Sequence, residues 1–462
     1  MSAVQSTPVA VVHRKRRGSE LLLLVLALAI GIGAYASVGL SRQGELPPDL
    51  AVYGGGLAAL AVVAHIGVRY LAPYADPVLL PVVVALNGLG LAMLHRIDLS
   101  LEASGDPAGP FAPSQLMWTT VGVLLFGAVL FVIRDHRRLQ SFTYTAGLAG
   151  LALLVLPLLP VIGTTINGAR IWINVFGFSF QPGEVAKILL VIFFAGYLVV
   201  NRDALALAGR RFIGIDLPRG RDLGPILVGW LASLAILVFQ QDLGSSLLFF
   251  GIFVVLLYVS TERPGWLVVG GGLFVGGAYL AYTLFSHVQE RIKGWLDPFS
   301  DVDTYYQIVQ AQYGLAFGGI LGRGLGQGSP TLVPFSWSDF IVTSLGEELG
   351  LTGLMAIVLM FALIVERGLR VSLVCRDAFG KLLAVGLAVS FAFQVFVVIG
   401  GVTRLIPLTG LTTPFMSAGG SSLVANWAII ALLLRISDQA RRPAPQINMA
   451  EDDDATQVVR MR

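Results

Sequence analysis

The sequence has few charged residues and almost no cysteine. Aspartate, glutamate, lysine and arginine make up 13% of its 462 residues, whereas hydrophobic residues make up 55%. A water-facing surface needs far more polar residues, so a soluble globular fold is excluded. A single cysteine, Cys375, excludes an internal disulfide, and we expect no cysteine-based metal site. The net charge of +3 gives no support for nucleic-acid binding.

Residue patterns typical of several enzyme classes are missing as well. The five histidines are scattered along the chain: His13, His65, His95, His136 and His287. None has the paired spacing of a zinc hydrolase. Ser421 and Ser422 have no histidine near them in sequence, which argues against a serine nucleophile. The glycine-rich segment GRGLGQGSP follows no predicted strand, so we interpret it as a flexible loop and not as a nucleotide-binding loop.

Long hydrophobic runs take the place of these patterns. About 20 apolar residues in a helix cross a bilayer with every backbone hydrogen bond satisfied. Twelve such runs are predicted, near residues 20–39, 49–70, 77–95, 116–133, 141–160, 183–200, 225–240, 245–260, 264–285, 348–366, 380–402 and 420–436. The predicted fold class is therefore an all-α polytopic membrane protein. No cleavage site follows the first run, so we interpret it as a membrane helix and not as a signal peptide.

Lysine and arginine predict the orientation in the cell membrane. Twelve spans with a cytoplasmic N-terminus place 23 of the 31 basic residues on the cytoplasmic side, as the positive-inside rule requires. Both termini are then cytoplasmic. The segment from Asn201 to Asp222, which carries five arginines and several apolar residues, is predicted to lie along the inner membrane surface.

The same pattern divides the chain into tails and membrane parts. Residues 1–18 and 437–462 are predicted to be disordered cytoplasmic tails. Residues 19–75 hold the first two helices, and residues 76–436 hold the remaining membrane core. Within this core, residues 286–347 form a long extracytoplasmic loop before the last three helices. A loop of about 60 residues between closely linked helices usually carries function.

Several charged residues gather on the predicted outer side. The stretch INGARIWINVFGFSFQPGEVAKILL places Arg170, Trp172, Glu184 and Lys187 at the outer mouth. Glu184 and Lys187 are three residues apart at a predicted helix start, so they can pair. Pro182 favours a helix start, where free amides attract anions. Two interpretations stay open: the pair only neutralises itself, or it borders a cavity for an anionic substrate such as a pyrophosphate.

Four more carboxylates lie on this side. We favour a helix-capping role for Asp242 in FQQDLGSSLL. Asp339 precedes an apolar run, and two roles remain equally open for it. It could cap the next helix, as Ser338 also could, or burial could raise its pKa and make it a general base. Glu347 and Glu348 lie two helical turns deeper, where we expect them to support packing and hydrogen bonding.

Five blocks in a fixed order resemble the SEDS family of RodA, FtsW and SpoVE. They are GARIWI, QPGEVAK, QQDLGSS, GRGLGQGSPTLVPFSWSDFIVTSLGEELGLTG and LIPLTGLTTPFMSAGGSSL, from about Gly168 to Leu423. The sequence is most similar to an actinobacterial-type RodA. It departs from the family pattern at Gln241, where proline is usual, and at Ala418, where tyrosine is usual. Neither departure removes a charged group.

The resemblance implies a SEDS fold with ten core membrane helices, so the helices in residues 19–75 would be an addition. It also implies polymerisation of lipid II into β-1,4 glycan strands. The 4-hydroxyl of an acceptor GlcNAc attacks C1 of a donor MurNAc, and undecaprenyl pyrophosphate leaves. Asp339 matches the family's catalytic aspartate. The candidate substrate-binding residues are Arg170, Trp172, Glu184, Lys187, Glu347, Glu348 and Ser421.

The family also implies partners and a cellular role. A class B penicillin-binding protein is expected to crosslink the new strands, alongside other elongation or division machinery. A divalent metal ion, Mg²⁺ or Mn²⁺, could assist at the pyrophosphate, although the sequence shows no ligand set for it. We favour elongation and cell shape over septal synthesis by an FtsW-like protein. A lipid II flippase and a non-catalytic scaffold are the remaining alternatives.

Overall fold

The computed structural model describes residues 15–160, 162–166, 168–175, 177–203, 210–212, 215–217 and 220–443. Most of the two predicted tails, residues 1–14 and 444–462, lies outside the described residues. In chain order the helices are α1 (Arg17–Gln43), α2 (Leu50–Leu71), α3 (Leu79–Ser104), α4 (Phe111–Val132), α5 (Thr143–Val155), α6 (Pro182–Val200), α7 (Gly220–Phe239), α8 (Leu243–Thr261), α9 (Gly265–Leu284), α10 (Ser286–Leu296), α11 (Tyr306–Gly318), α12 (Ile341–Val374), α13 (Ala378–Val402) and α14 (Gly420–Arg441).

The predicted number of membrane helices agrees with this architecture. By length and composition, 11 helical segments of the described chain can cross a membrane, and α7 contributes a shorter apolar helix, Gly224–Phe239. Each of the twelve predicted runs overlaps one of these helices. The predicted all-α polytopic class is confirmed. The membrane helices run in alternating directions between two ends of the bundle. We call one the arginine-rich end, because it carries most arginines, and the other the cavity end, because the cavity of the candidate site opens there.

The long segment before the last three membrane helices contains helices of its own. It contains α10 and α11, and α12 begins at Ile341 instead of near residue 348. The predicted outer loop, residues 286–347, thus includes the first residues of this helix. Gly350, with φ of 69° and ψ of −173°, interrupts α12, so its first turns form a separate helical piece. That piece carries two glutamates, and hydropathy alone does not identify it as part of a membrane helix.

Two small antiparallel sheets add to the helices, which the prediction of a purely helical chain did not include. Strands β1 (Gly163–Ile166), β2 (Ala169–Val175) and β3 (Phe178–Phe180) pair in the order β1-β2-β3 at the cavity end. Gly168 and Gly177 supply the positive φ angles of the two turns. In the predicted inner-surface segment, β4 (Arg210–Phe212) pairs with β5 (Ile215–Leu217). The other residues from 204 to 219 lie outside the described residues.

The first two helices pack directly on the rest of the bundle. Gly31 of α1 approaches Gly88 of α3 so closely that a Cβ on Gly88 would stand 2.8 Å from the Gly31 Cα. Glycine is needed where two helix backbones come this near. Within the pair, Nδ1 of His65 lies 2.8 Å from Oε1 of Glu20, and both side chains are buried. Residues 19–75 therefore form part of one continuous packed core.

Buried polar contacts at the arginine-rich end extend the last helix. Asp438 accepts a hydrogen bond from the Tyr74 amide at 2.8 Å, and Ser437 accepts one from the Asp76 amide at 3.1 Å. Asp76 and Asp438 are fully buried. Because these polar side chains have hydrogen-bond partners in the protein, they belong to the folded bundle. The helix α14 therefore continues to Arg441, beyond the tail boundary predicted at residue 437.

Candidate functional site: a cavity at one end of the bundle

A cavity of about 640 Å³ opens at the end of the bundle that carries the β1-β2-β3 sheet and α10. Its walls come from α4, β2, the starts of α6 and α14, the turn before α8, and the segment before α12. The charged residues that line it are Glu184, Asp242, Arg291 and Asp339. The predicted residues Trp172, Glu184 and Asp339, which are far apart in sequence, therefore meet at one cavity.

Asp339 occupies the cavity wall two residues before α12. The residue at the N-cap position of α12 is Phe340, and no side chain caps this helix. The capping role considered for Asp339 is therefore wrong. Its segment is held in place from the far side of the cavity, because the Ala418 amide donates to the Trp337 carbonyl at 2.8 Å and the Ser417 hydroxyl donates to the Ser338 carbonyl at 2.6 Å.

The surroundings of Asp339 favour a proton-accepting carboxylate. Burial raises the pKa of Asp339 to about 6, while its own backbone amide, the charge of Arg291 and the Phe340 amide act in the opposite direction. The side chain keeps part of its surface open to the cavity. A carboxylate with this pKa is ionised at neutral pH and is a stronger base than an ordinary aspartate.

Arg291 is the cavity cation that the sequence analysis missed. It lies on α10, lines the cavity and donates to the Leu408 carbonyl at 2.9 Å. Burial lowers the pKa of Arg291, and the charges of Asp242 and Asp339 act in the opposite direction. The sequence did contain a sign of its role, because Arg291 is a basic residue in RIKGW, inside the outer loop that was expected to carry function.

Asp242 combines two roles in the structure. Its carboxylate accepts a hydrogen bond from the Ser245 amide at 2.9 Å and caps α8, which confirms the predicted cap. The same residue lines the cavity. Burial raises the pKa of Asp242, and the bonds from Ser245 and the charge of Arg291 offset this only in part. Asp242 thus adds a second carboxylate near Arg291.

The predicted pair at the start of α6 is present and buried. Nζ of Lys187 lies 2.8 Å from Oε2 of Glu184 and 2.8 Å from Oε1 of Gln394 on α13. Glu184 is 6% exposed and Lys187 is 3% exposed. Glu184 lines the cavity, whereas Lys187 lies behind it. The ammonium charge is therefore already neutralised by Glu184, and the pair closes the cavity wall.

The remaining predicted residues of this region are divided between the cavity and its surroundings. Trp172 on β2 lines the cavity. Arg170, two residues earlier, does not line it, and its guanidinium donates to the Leu159 carbonyl at 3.2 Å. The Ser421 hydroxyl accepts a hydrogen bond from the Gln181 amide at 2.9 Å, which joins the starts of α14 and α6.

Glu347 and Glu348 hold the glycine-rich segment in a defined conformation. Oε1 of Glu348 lies 2.9 Å from Nε of Arg96, and the amides of Gly326 and Gly328 donate to its carboxylate. Glu347 accepts from the Ser329 amide at 3.0 Å and pairs with the Arg323 guanidinium at 3.0 Å. The predicted supporting role agrees with these contacts. The segment interpreted as flexible is instead tied to α12.

Among the described residues, the side chains that line the cavity form no converging set of metal ligands. In the described part of the chain, one group of three metal-binding side chains comes within 4.8 Å, and it consists of His136, Cys375 and Asp377. None of these three residues lines the cavity. The carboxylates that do line it, Glu184, Asp242 and Asp339, do not form a group within 4.8 Å of one another. The cysteine-containing group was not expected, because 239 residues separate His136 from Cys375.

That group is accounted for by a side-chain hydrogen bond and a helix cap. Asp377 caps α13 through the Gly380 amide at 2.7 Å and lies 3.0 Å from Nε2 of His136. Burial opposes ionisation, yet the hydrogen bonds from His136 and Gly380 hold the pKa of Asp377 well below its usual range. Arg137 and two further arginines line a pocket together with Cys375 and Asp377. Their positive charges make this pocket unfavourable for a metal cation.

We expect Cys375 to react slowly with thiol reagents. Burial and the charge of Asp377 raise the pKa of its thiol to about 11. Since the thiolate is the nucleophile, alkylation by iodoacetamide at pH 8 should be about a hundredfold slower than for an unperturbed cysteine. Mass spectrometry of the labelled protein measures the rate. The same chain unfolded in denaturant serves as the control and should react normally; equal rates in both states would contradict the prediction.

Fold and site together define the class: a polytopic membrane protein with a carboxylate and a guanidinium in a cavity at one membrane face. The chain belongs to the family of FtsW, RodA and SpoVE, described as cell cycle proteins, whose family model matches residues 77–442. The match begins where α2 has ended, which leaves α1 and α2 outside it.

Relatives within this family favour the RodA type, as predicted. The chain is 49% identical over 447 residues to the peptidoglycan glycosyltransferase RodA of Mycobacterium tuberculosis strain H37Rv, which covers 96% of this chain and 95% of that protein. Identity to RodA of Mycobacterium leprae is 48%, with 93% and 92% covered. A probable peptidoglycan glycosyltransferase FtsW of Trichlorobacter lovleyi is 34% identical, with 78% and 93% covered.

One solved structure supports the same fold. The description of that structure reads "Structural coordination of polymerization and crosslinking by a peptidoglycan synthase complex". The matching chain has a TM-score of 0.64 and 28% sequence identity, and the alignment covers 80% of this chain and 99% of that chain.

Proposed function

We propose that this protein is a RodA-type peptidoglycan glycosyltransferase that polymerises lipid II through Asp339. The observation that carries the proposal is the placement of Asp339, whose pKa is raised to about 6, in a cavity that also holds Arg291. The relatives named peptidoglycan glycosyltransferase RodA, which match nearly the full chain, support the same activity.

The reaction uses these two side chains in separate roles. Asp339 takes the proton from the 4-hydroxyl of an acceptor GlcNAc as its oxygen bonds to C1 of a donor MurNAc. The bond from C1 to the phosphate oxygen breaks, and undecaprenyl pyrophosphate leaves with the electron pair. A single displacement turns an α-linked donor into a β-1,4 linkage. Arg291 stabilises the charge that develops on the pyrophosphate. Arg170 and Lys187, two of the candidate substrate-binding residues, do not line the cavity.

The direction of the cavity follows from the charge distribution. The end of the bundle that carries most arginines is cytoplasmic by the positive-inside rule, so the cavity faces the extracytoplasmic side. Lipid II would enter there. A class B penicillin-binding protein that crosslinks the strands is the partner we favour, together with other elongation machinery. The similarity to one chain of a peptidoglycan synthase complex supports this assignment.

The direct test is glycan synthesis from purified lipid II by the purified protein with its cognate penicillin-binding protein. We expect polymer on a gel and released undecaprenyl pyrophosphate. A flippase would move labelled lipid II across a vesicle membrane and make no polymer, and a scaffold would do neither. Polymer in this assay, with cell rounding on depletion of the protein, would favour elongation over the septal role of an FtsW-like enzyme.

The acid limb of the pH profile should report Asp339. A general base must be deprotonated, so protonation below a pKa of about 6 removes activity. We expect kcat/KM to be constant above pH 7 and to fall about tenfold per pH unit well below pH 6. Initial rates at low lipid II concentration measure this profile. An acid limb centred near pH 4 would contradict the raised pKa.

A further inference from the structure

The wall of the cavity beside Asp339 is made of aromatic rings. Phe111 of α4 stacks on Trp337 with ring centroids 4.8 Å apart and an angle of 19° between the planes. Phe335 meets the same indole edge to face at 5.7 Å. All three residues line the cavity. We call this set the aromatic wall.

The backbone presents the wall to the cavity at some energetic cost. Phe335 has φ of 56°, a left-handed conformation that is uncommon for a residue with a bulky side chain, and its side chain is 38% exposed. Strain of this kind persists where the surrounding structure enforces it, often at ligand-binding sites. Here the Ser338 amide donates to the Phe335 carbonyl at 2.9 Å, and the Ala418 amide holds Trp337. The backbone that carries Phe335 and Trp337 is therefore fixed by two hydrogen bonds.

An aromatic surface with polar groups in the same cavity matches the chemistry of a pyranose ring. In a gluco-configured sugar the axial C–H groups form an apolar face, while the hydroxyls project from the rim. The apolar face packs on an aromatic ring, and the rim needs hydrogen-bonding partners. Asp339, Ser114 and Gln307 supply polar side chains in the same cavity.

We propose that Phe111, Phe335 and Trp337 form the binding platform for the acceptor GlcNAc, an inference that rests on the proposed polymerase function. Trp337 precedes Asp339 by two residues and both line the cavity, so the wall and the carboxylate belong to one site. The base acts on the acceptor hydroxyl and not on the donor, which assigns the platform to the acceptor sugar. The competing occupant is the polyprenyl chain, which would also pack on aromatic rings.

Replacement of the indole by an aliphatic side chain tests the platform. Trp337→Leu should raise the KM for lipid II about tenfold with a smaller change in kcat, because a ground-state contact is lost. Trp337→Phe retains a ring and should give an intermediate KM. Phe299→Leu is the matched control, since Phe299 is 50% exposed in the same outer segment but does not line the cavity.

A soluble probe separates the sugar from the lipid. Saturation-transfer NMR with the disaccharide GlcNAc-β-1,4-MurNAc should show transfer to the GlcNAc ring protons in the wild-type protein and in Phe299→Leu, and a loss of several-fold in Trp337→Leu. Unchanged transfer with a raised lipid II KM would overturn the proposal and assign the wall to the polyprenyl chain. Equal KM effects of Leu and Phe at Trp337 would also overturn it, since stacking would then not matter.

Failure of this proposal can be distinguished from failure of the proposed function. If the wild-type protein polymerises lipid II and Trp337→Leu has an unchanged KM, the platform is refuted and the polymerase function stands. If neither the wild-type protein nor Phe299→Leu forms polymer while both remain folded, the polymerase function itself is refuted, and the acceptor platform with it.

Discussion

Asp339→Asn should lower kcat for glycan polymerisation by a factor of about 10² to 10⁴, the range for loss of a general base. The amide keeps the shape of the side chain but cannot take a proton from the acceptor hydroxyl. Gel analysis of products from purified lipid II measures the rate. Thermal unfolding in detergent and co-purification with the penicillin-binding protein should be unchanged.

Asp303→Asn provides the control for this substitution. Asp303 is exposed in the same outer segment and does not line the cavity. Its variant should polymerise at the wild-type rate. Polymer from Asp339→Asn at the wild-type rate would refute the base role, and loss of folding in that variant would call for Asp339→Glu, which retains a carboxylate and should recover part of the activity.

Glu348→Ala should cost about 3 to 5 kcal/mol of stability, as expected when one partner of a buried ion pair is removed. The Arg96 side chain is 1% exposed and would keep an unpaired charge inside the bundle. The amides of Gly326 and Gly328 would lose their acceptor at the same time. The contacts of Glu347 with Ser329 and Arg323 would still join the glycine-rich segment to α12.

Unfolding temperature in detergent measures this effect, with Glu366→Ala as the comparison. Glu366 is on the same helix and forms an ion pair with Arg370 at 2.8 Å, but both side chains are exposed. Exposed pairs contribute about 0 to 1 kcal/mol, so this variant should unfold near the wild-type temperature. Equal unfolding temperatures for the two variants would show that Glu348 does not hold the segment.

Local sequence patterns were sufficient for the features that depend on neighbours in the chain. Twelve helices follow from the length of apolar runs, because hydrocarbon forces each such run to satisfy its own backbone. The pair of Glu184 with Lys187 follows from a spacing of three residues, and the cap by Asp242 follows from its position before α8. The nomination of Asp339 needed the family resemblance as well, since its local pattern was equally consistent with a cap.

Features that join distant segments were not predictable in this way. Arg291 and Asp339 come from α10 and the segment before α12, and the wall couples Phe111 to Trp337 across 226 positions of the printed sequence. The ion pair of Arg96 with Glu348 spans 252 positions. The small sheet at the cavity end was missed because its residues lie between two hydrophobic runs. The search for membrane helices, which looks for such runs, does not detect short strands between them.

The sequence by itself therefore determined the membrane environment, the helices and the family, because all of these depend on local composition or on ordered motifs. The tertiary structure decided which charges face the cavity: it placed Arg291 in the lining, joined Arg170 to the Leu159 carbonyl outside the lining, and buried Lys187 behind Glu184. The physical reason is that burial and pairing of a charge depend on every segment packed around it, and most of those segments are remote in the chain.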